Sequence, residues 1–320
     1  MGNPCVSVFM PTYNQKTYIT EAIEHVLRQK TTFPFELIIG EDYSTDGTRE
    51  IVFQYQEKNP DIIRALTSDS NVGAWANNRR MLEACRGKYI AYCDGDDYWH
   101  DAGKLQKQVD FLDCHPDYGL VHTDFDKLKA DKNKLIPNFQ KRGKKGIPEG
   151  SVYEELLQGT FISTCSVCVR RELVERWQKD AEFSNMRFVQ GDYSKWLFIA
   201  WHSKIGYLPV STATKRELHK SMSHPDNLQK RYDYYMSLYE IKKTYMARFP
   251  CSVQLKNRVK LIFHKQKLRF AYIAKNFQSA KESYLFLCHN SFPSFKNTFY
   301  FIGSFVKSLK WRSRKIVIRK

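Results

Sequence analysis

The chain has 320 residues, 42% of them hydrophobic, an ordinary content for a globular protein that buries a core as one large domain or two smaller ones. Its eight cysteines are dispersed along a long chain, which argues against a disulfide scaffold and for a reducing compartment, and no apolar run approaches the roughly 20 residues that span a bilayer. The net charge of +17 sits at one end: 30 Lys and Arg balance 30 Asp and Glu through residue 224, whereas 21 cations face four acids from Pro225 to Lys320.

In chain order, "VSVFMPTY" is a short apolar run read as a strand rather than a secretory leader, since it lacks a charged flank and a cleavage site. Met1-Gly2 does not extend to a myristoylation pattern, because Val6 stands where Ser or Thr is needed. "TYITEAIEHVLRQ" places Ile19, Ile23, Val26 and Leu27 on one helical face. "FELIIGED" reads as a buried strand, "STDGTREIVFQYQEKN" as a helix with Ser44, Thr45 or Asp46 as cap, and "IIRALTS" as a weaker strand. A helix ending at Gly87 and the strand "KYIAYCD" follow. This alternation predicts a mainly parallel α/β sheet with helices on both faces, whose ligands gather at the C-terminal ends of the strands. From Lys127 to Gly146 the lysine-rich, apolar-poor composition predicts a mobile loop, after which helix and strand patterns resume. Cys165 and Cys168 form a CxxC without a second pair, which favours two small residues of a buried strand over a zinc site of four ligands. Beyond Pro225 the pattern is mostly helical and basic.

Three polar clusters fall at predicted strand ends: "PTYN", "GEDYSTDGT" and "CDGDD". In the last, Asp94 and Asp96 are two residues apart and point to one side of an extended backbone. Unrelieved, two such carboxylates raise each other's pKa. A divalent cation relieves them, and hard oxygen ligands favour Mg²⁺ or Mn²⁺ completed by substrate phosphates. A solvated acidic turn is the alternative. Neither GxGxxG nor GxxxxGK[ST] follows the first strand, which weighs against a dinucleotide-dependent dehydrogenase and a P-loop NTPase.

"VSVFMPTYN", "FELIIGEDYSTDGT", "SDSNVGAWANNRRMLEACRGKYIAYCDGDDYW" and "QGDYSKWL" resemble, in order and approximate spacing, the motifs of family-2 glycosyltransferases of GT-A fold. The resemblance covers residues 5–224 and implies a GT-A domain over 1–224, with a basic, mainly helical segment over 225–320. It implies that Pro11, Thr12 and Tyr13 line a base pocket and that Glu41 and Asp42 bind the nucleoside, with Glu41 standing where Asp is commoner. Asp94 and Asp96 match the family's DxD motif, toward ribose and metal–diphosphate, and Asp97 lies beside them. Asp192 matches the catalytic base, although Gly191 replaces the usual preceding Glu. Arg216 and His219 match a basic residue and a His that fold over the diphosphate, with His219 a metal ligand beside Asp94 and Asp96. The implied activity is inverting, metal-dependent transfer from a nucleotide-diphospho-sugar, UDP-linked, to a hydroxyl of a polysaccharide or glycolipid.

The basic tail "FYFIGSFVKSLKWRSRKIVIRK" interleaves aromatics with cations, as suits the anionic surface of a membrane, here its cytoplasmic face, with no specific nucleic acid expected. Two rival readings stay open: a nucleotidyltransferase with the same carboxylate–metal logic, and a non-catalytic nucleic-acid- or membrane-binding protein.

Overall fold

A computed structural model describes residues 3–141, 143, 146–184, 191–218 and 228–317. The chain divides into two compact units, one carrying the sheet up to Leu218 and the other carrying the last four helices.

The strands of the first unit are β1 (Val6–Thr12), β2 (Phe35–Glu41), β3 (Ile63–Leu66), β4 (Tyr89–Tyr92), β5 (Tyr118–Lys129), β6 (Lys134–Ile136), β7 (Val167–Arg170) and β8 (Lys204–Glu217). They form one mixed, mostly parallel sheet in the order β3-β2-β1-β4-β7-β5-β6, with β8 also paired to β5. β1, β2, β3 and β4 run parallel to one another, β7 is antiparallel to β4 and β5, and β8 is parallel to β5. Almost every residue of β1, β2 and β4 is buried, as parallel strands covered on both faces must be.

Helices join the strands: α1 (Lys16–Leu27), α2 (Thr48–Lys58), α3 (Gly73–Ala84), α4 (Lys104–Cys114), α5 (Tyr153–Gln158), α6 (Arg171–Lys179), α7 (Ala181–Ser184) and α8 (Gly191–His202). In α1, Ile19, Ala22, Ile23 and Val26 recur at helical spacing and are fully enclosed. They join Val8, Met10, Leu37, Ile39, Ala91 and Trp99 in the main core.

Two readings of the sequence change here. The lysine-rich stretch after Lys127 is no featureless loop: β5 continues to Lys129, turns through Asn133 in the left-handed region (φ 44°), and returns as β6. Lys127 pairs with Glu217 of β8 at 3.2 Å and stands over the Phe139 ring, so partners distant in sequence supply the order its composition conceals. In "FISTCSVCV", only Val167 onward is strand, preceded by a 3₁₀ turn at Thr164–Ser166. Cys165 and Cys168 are enclosed, and burial pushes the Cys168 thiol up to about 12.

The second unit consists of α9 (Leu228–Arg248), α10 (Val253–Ile273), α11 (Phe277–Asn290) and α12 (Phe295–Val317). Ser252 caps α10 by accepting from the Leu255 N–H, and Asn276 caps α11 by accepting from the Ser279 N–H. Leu268, Ala271, Ala280 and Leu287 form its core, with Tyr300 and Phe301 packed against them.

Where α3 leads into β4, Gly87 donates to the Ser7 hydroxyl at 2.9 Å, and a Cβ there would lie 2.5 Å from the Ser7 nitrogen. The obstacle is backbone, which cannot rotate aside. Gly87→Ala is therefore expected to destabilise the sheet unit by about 1–3 kcal/mol or more, read from the midpoint of chemical denaturation. An unchanged midpoint would show that β1 and β4 can part at no cost.

Candidate active site

Parallel pairing brings the ends of β1, β2 and β4 together, and backbone bonds continue past them. Asp42 N–H donates to the Thr12 carbonyl and Gly95 N–H to the Pro11 carbonyl, each at 3.1 Å. The motifs at the three strand ends are thereby joined. Gly95 suits this approach, because a Cβ would meet Gln15 Oε1 at 2.4 Å and Thr12 Oγ1 at 2.9 Å and would push those side chains aside.

The loops after β1 and β2 are tied side by side. Asn14 N–H donates to Ser44 Oγ, Thr45 N–H to Asn14 Oδ1, Gln15 N–H to Thr48 Oγ1 and Lys16 N–H to Asp46 Oδ2. The cap of α2 is Gly47, in the left-handed region at φ 97°, rather than Ser44, Thr45 or Asp46 as the sequence suggests, but Asp46 one position ahead still accepts from the Thr48 N–H at the start of the helix. Asn14 and Tyr43 lie in the left-handed region, at φ 51° and 61°. These turns leave the Tyr13 and Tyr43 rings exposed at the rim.

Glu41 and Asp42 lie at the centre and are both buried. Glu41 accepts from Ser44 N–H at 2.6 Å and Thr67 Oγ1 at 3.1 Å, with Arg49 at 3.9 Å. The two carboxylate oxygens of Asp42 accept from the N–H groups of Val72 (2.8 Å) and Gly73 (3.0 Å), which open α3. From that helix Asn77 donates to the Gly40 carbonyl and Arg80 to the Glu41 carbonyl, both at 2.8 Å. Asn77 and Arg80 were not singled out in the sequence, because their partners, the carbonyls of Gly40 and Glu41, lie 37 and 39 positions away.

The acidic turn after β4 brings carboxylate oxygens of Asp94, Asp96 and Asp97 within 4.8 Å of one another, the only such group of three potential metal ligands among the described residues. Burial and the Asp96 and Asp192 carboxylates push the Asp94 carboxyl up to about 7, and the Asp96 and Asp97 carboxyls are raised too, chiefly by burial. Arg216 of β8 holds the turn from behind. Its N–H donates to Asp97 Oδ1 and its guanidinium to the Asp96 carbonyl, each at 2.8 Å. The same guanidinium pairs with Glu21 of α1 and lies over the rings of Tyr18 and Tyr98. His219, three residues on, lies outside the described residues.

Asp192 stands in the first turn of α8, its side chain 41% exposed, and accepts from Lys195 Nζ at 2.8 Å and Thr164 Oγ1 at 3.2 Å. Burial works against its charge, but Lys195 and Thr164 more than offset that and hold its carboxyl below the ordinary range. Lys195 is enclosed, its ammonium 4.7 Å from the centre of the Tyr92 ring and 5.5 Å from that of Trp196. Burial opposes that charge too, and the Asp192 carboxylate overcomes it and holds the lysine above its ordinary value. The sequence signal for this pair was the i, i+3 spacing of Asp and Lys in "GDYSK". Trp99 and Trp196 are core residues.

This donor set fits a hard divalent cation: three carboxylates lie close together, and the nearby charges of Lys215, Lys195 and Arg216 relieve their repulsion only in part, leaving the carboxyls raised. A mixed, mostly parallel sheet whose leading strands end in such a carboxylate group is the GT-A arrangement. The family model for glycosyl transferase family 2 matches residues 7–177, and the chain belongs to that family. It is 37% identical over 169 residues to the uncharacterized protein Rv1520 of Mycobacterium tuberculosis, covering 52% of this chain and 47% of that one, so the match spans about half the relative's length. It is 33% identical over 194 residues to the putative teichuronic acid biosynthesis glycosyltransferase TuaG of Bacillus subtilis, covering 61% and 71%. It is 29% identical over 199 residues to the UDP-Glc:alpha-D-GlcNAc-diphosphoundecaprenol beta-1,3-glucosyltransferase WfgD of Escherichia coli, covering 62% and 71%. In fold it is similar to the mannosyltransferase PcManGT of Pyrobaculum calidifontis, solved with GDP-Man and Mn2+, with a TM-score of 0.56 and 17% identity over 97% of this chain and 88% of that one.

Because folding raises the Asp94 pKa from 3.8 to about 7, the folded state holds more protons than the unfolded one between those values, and this group's contribution to stability falls as pH rises through that window. In metal-free buffer, Asp94→Asn is expected to melt higher than the wild type at pH 8 and to lose that advantage at pH 4. Adding Mn²⁺ at pH 8 is expected to raise the wild-type melting temperature and leave the variant's little changed. Thermal melts at the two pH values check this; equal differences at both would exclude the charge repulsion.

Proposed function

We propose that the protein is an inverting glycosyltransferase that moves a sugar from a nucleotide-diphospho-sugar, UDP-linked, to a hydroxyl of a polysaccharide or lipid-linked glycan in cell-surface glycan synthesis. The observation that carries this is the contrast between two carboxylate systems at one end of the sheet. Asp94, Asp96 and Asp97 are raised in pKa and need a cation, whereas Asp192 is kept ionised by Lys195. Environments that push carboxyl pKa values apart assign different tasks to the same functional group.

In this reading Tyr13 covers the base, with Pro11 and Thr12 as the floor beneath it. Asp42 turns the lone pairs left by Val72 and Gly73 toward the nucleoside, and the enclosed Glu41 acts through the loop it holds. Asp94 and Asp96, with His219, would hold Mn²⁺ or Mg²⁺, and Arg216 keeps the acidic turn in place with positive charge beside it. A bound cation supplies Lewis acidity that offsets the charge growing on the departing diphosphate. Asp192, half open to solvent, takes the proton of the acceptor hydroxyl as that oxygen attacks the anomeric carbon, a transfer worth about 10²–10⁴ in rate. Attack from the face opposite the leaving group inverts the centre. The names of the B. subtilis and E. coli relatives support a cell-envelope acceptor, and the basic C-terminal unit supports contact with the inner membrane surface.

Asp192→Asn is expected to lower glycosyl transfer at least about 10²-fold while leaving nucleotide binding within a few-fold. Wild-type turnover in this variant would remove Asp192 from the role of base. Turnover of a panel of nucleotide sugars, with products identified, tests the reaction itself. A glycoside plus nucleoside diphosphate is expected, and a nucleotidyl-sugar plus pyrophosphate would show a nucleotidyltransferase instead. EDTA is expected to abolish the reaction and Mn²⁺ or Mg²⁺ to restore it.

A further inference from the structure

Helix α12 carries two apolar faces on opposite sides. One is turned inward: Asn297 and Ser304 are buried, and between them Tyr300 and Phe301 pack on the core of α10 and α11. The other is turned out. Phe295, Phe299, Ile302 and Val306 recur at i, i+4, i+7 and i+11, one line along a helix. Phe295 is 90% exposed, Phe299 53% and Ile302 55%, and Phe292 just ahead of the helix is fully exposed. A soluble surface scatters single apolar residues, but a row of large ones along one helix marks an interaction site.

Charge identifies the occupant. From Ser283 to Lys320 the chain has eight Lys and Arg and no Asp or Glu. Lys296 and Lys307, one near each end of the described row, lie over the rings of Tyr300 and Tyr272. Among the described residues no helix is long and apolar enough to cross a membrane. An apolar face with cations alongside and no acids suits a helix lying in the interface of an anionic bilayer. A second copy of this chain would bring the same uncompensated positive charge to the contact.

We propose that the outward face of α12, from Phe292 to Val306, is a membrane-docking surface that inserts its aromatic row among the acyl chains of an anionic lipid monolayer while the flanking cations meet the headgroups. This deepens the membrane contact proposed above by assigning it to one helix face, and it does not depend on the sugar-transfer chemistry. Three large side chains leaving water together are worth well over tenfold in partitioning.

The test is flotation of the full-length protein with vesicles of phosphatidylcholine alone or mixed with phosphatidylglycerol, beside the variant Phe295→Ser/Phe299→Ser/Ile302→Ser. The wild type is expected to bind the anionic vesicles, weakly bind the neutral ones, and release partly in high salt. The variant, which alters only exposed positions, is expected to keep its melting temperature and its turnover of soluble nucleotide sugar but to lose at least about tenfold in vesicle binding. Unchanged binding by the variant would overturn the assignment to this face, and failure of the wild type to bind any vesicle would overturn the membrane contact itself. Light scattering supplies the remaining outcome. A wild-type dimer that becomes monomeric in the variant, with vesicle binding unaltered, would show that the face joins two copies of the chain.

Discussion

The site depends on keeping three aspartates together against their mutual repulsion: the charge of Lys215 offsets part of it at all three carboxylates, and Arg216 braces the turn by hydrogen bonds. Its backbone N–H and its guanidinium both reach the turn, one to the Asp97 carboxylate and the other to the Asp96 carbonyl. Glu21 and the rings of Tyr18 and Tyr98 hold the guanidinium in turn. The clamp therefore links α1, the acidic turn and β8, three parts of the chain remote in sequence. A second clamp works at the end of β2, where Asp42 receives the first N–H groups of α3 while Asn77 and Arg80 of that helix return hydrogen bonds to the strand's carbonyls. Between them these clamps fix the loops at the ends of β2 and β4.

Much of this was legible beforehand, for physical reasons. Strand and helix periods identified the β1–β4 alternation, and parallel pairing then requires the polar clusters at the strand ends to converge. The like charges of "DGDD" announced their own need for compensation. Less legible was what each residue already holds. Nothing near Glu41 in the chain says that Ser44 and Thr67 occupy its oxygens, and nothing near Arg216 points to Glu21, 195 positions earlier. The ordered β5–β6 turn was hidden likewise, because Lys127 is stabilised by Glu217 and Phe139 rather than by its neighbours. Local pattern reveals periodicity and crowding of charge. It is blind to pairing across the fold.

The two carboxylate systems also differ in what supports them. The acidic turn, with Asp97 buried and Asp94 and Asp96 half-buried, is raised in pKa, a state relieved by a proton or by a cation. Asp192 leans on an internal counter-ion that is itself enclosed among aromatic rings, where a lone ammonium would be costly. Neither Asp192 nor Lys195 is comfortable without the other.

That pairing has a mechanical side. Asp192 and Lys195 are on successive turns of the same helix, so their 2.8 Å contact travels with α8 as a rigid cargo. Among the described residues, Asp192 is joined to other segments by the Thr164 hydrogen bond, at 3.2 Å, and by the charge of Lys215. Lys195 is in turn set against the sheet, its ammonium 4.7 Å from the centre of the Tyr92 ring, so the charge of Asp192 is maintained jointly by its own helix and by the core that the helix packs on.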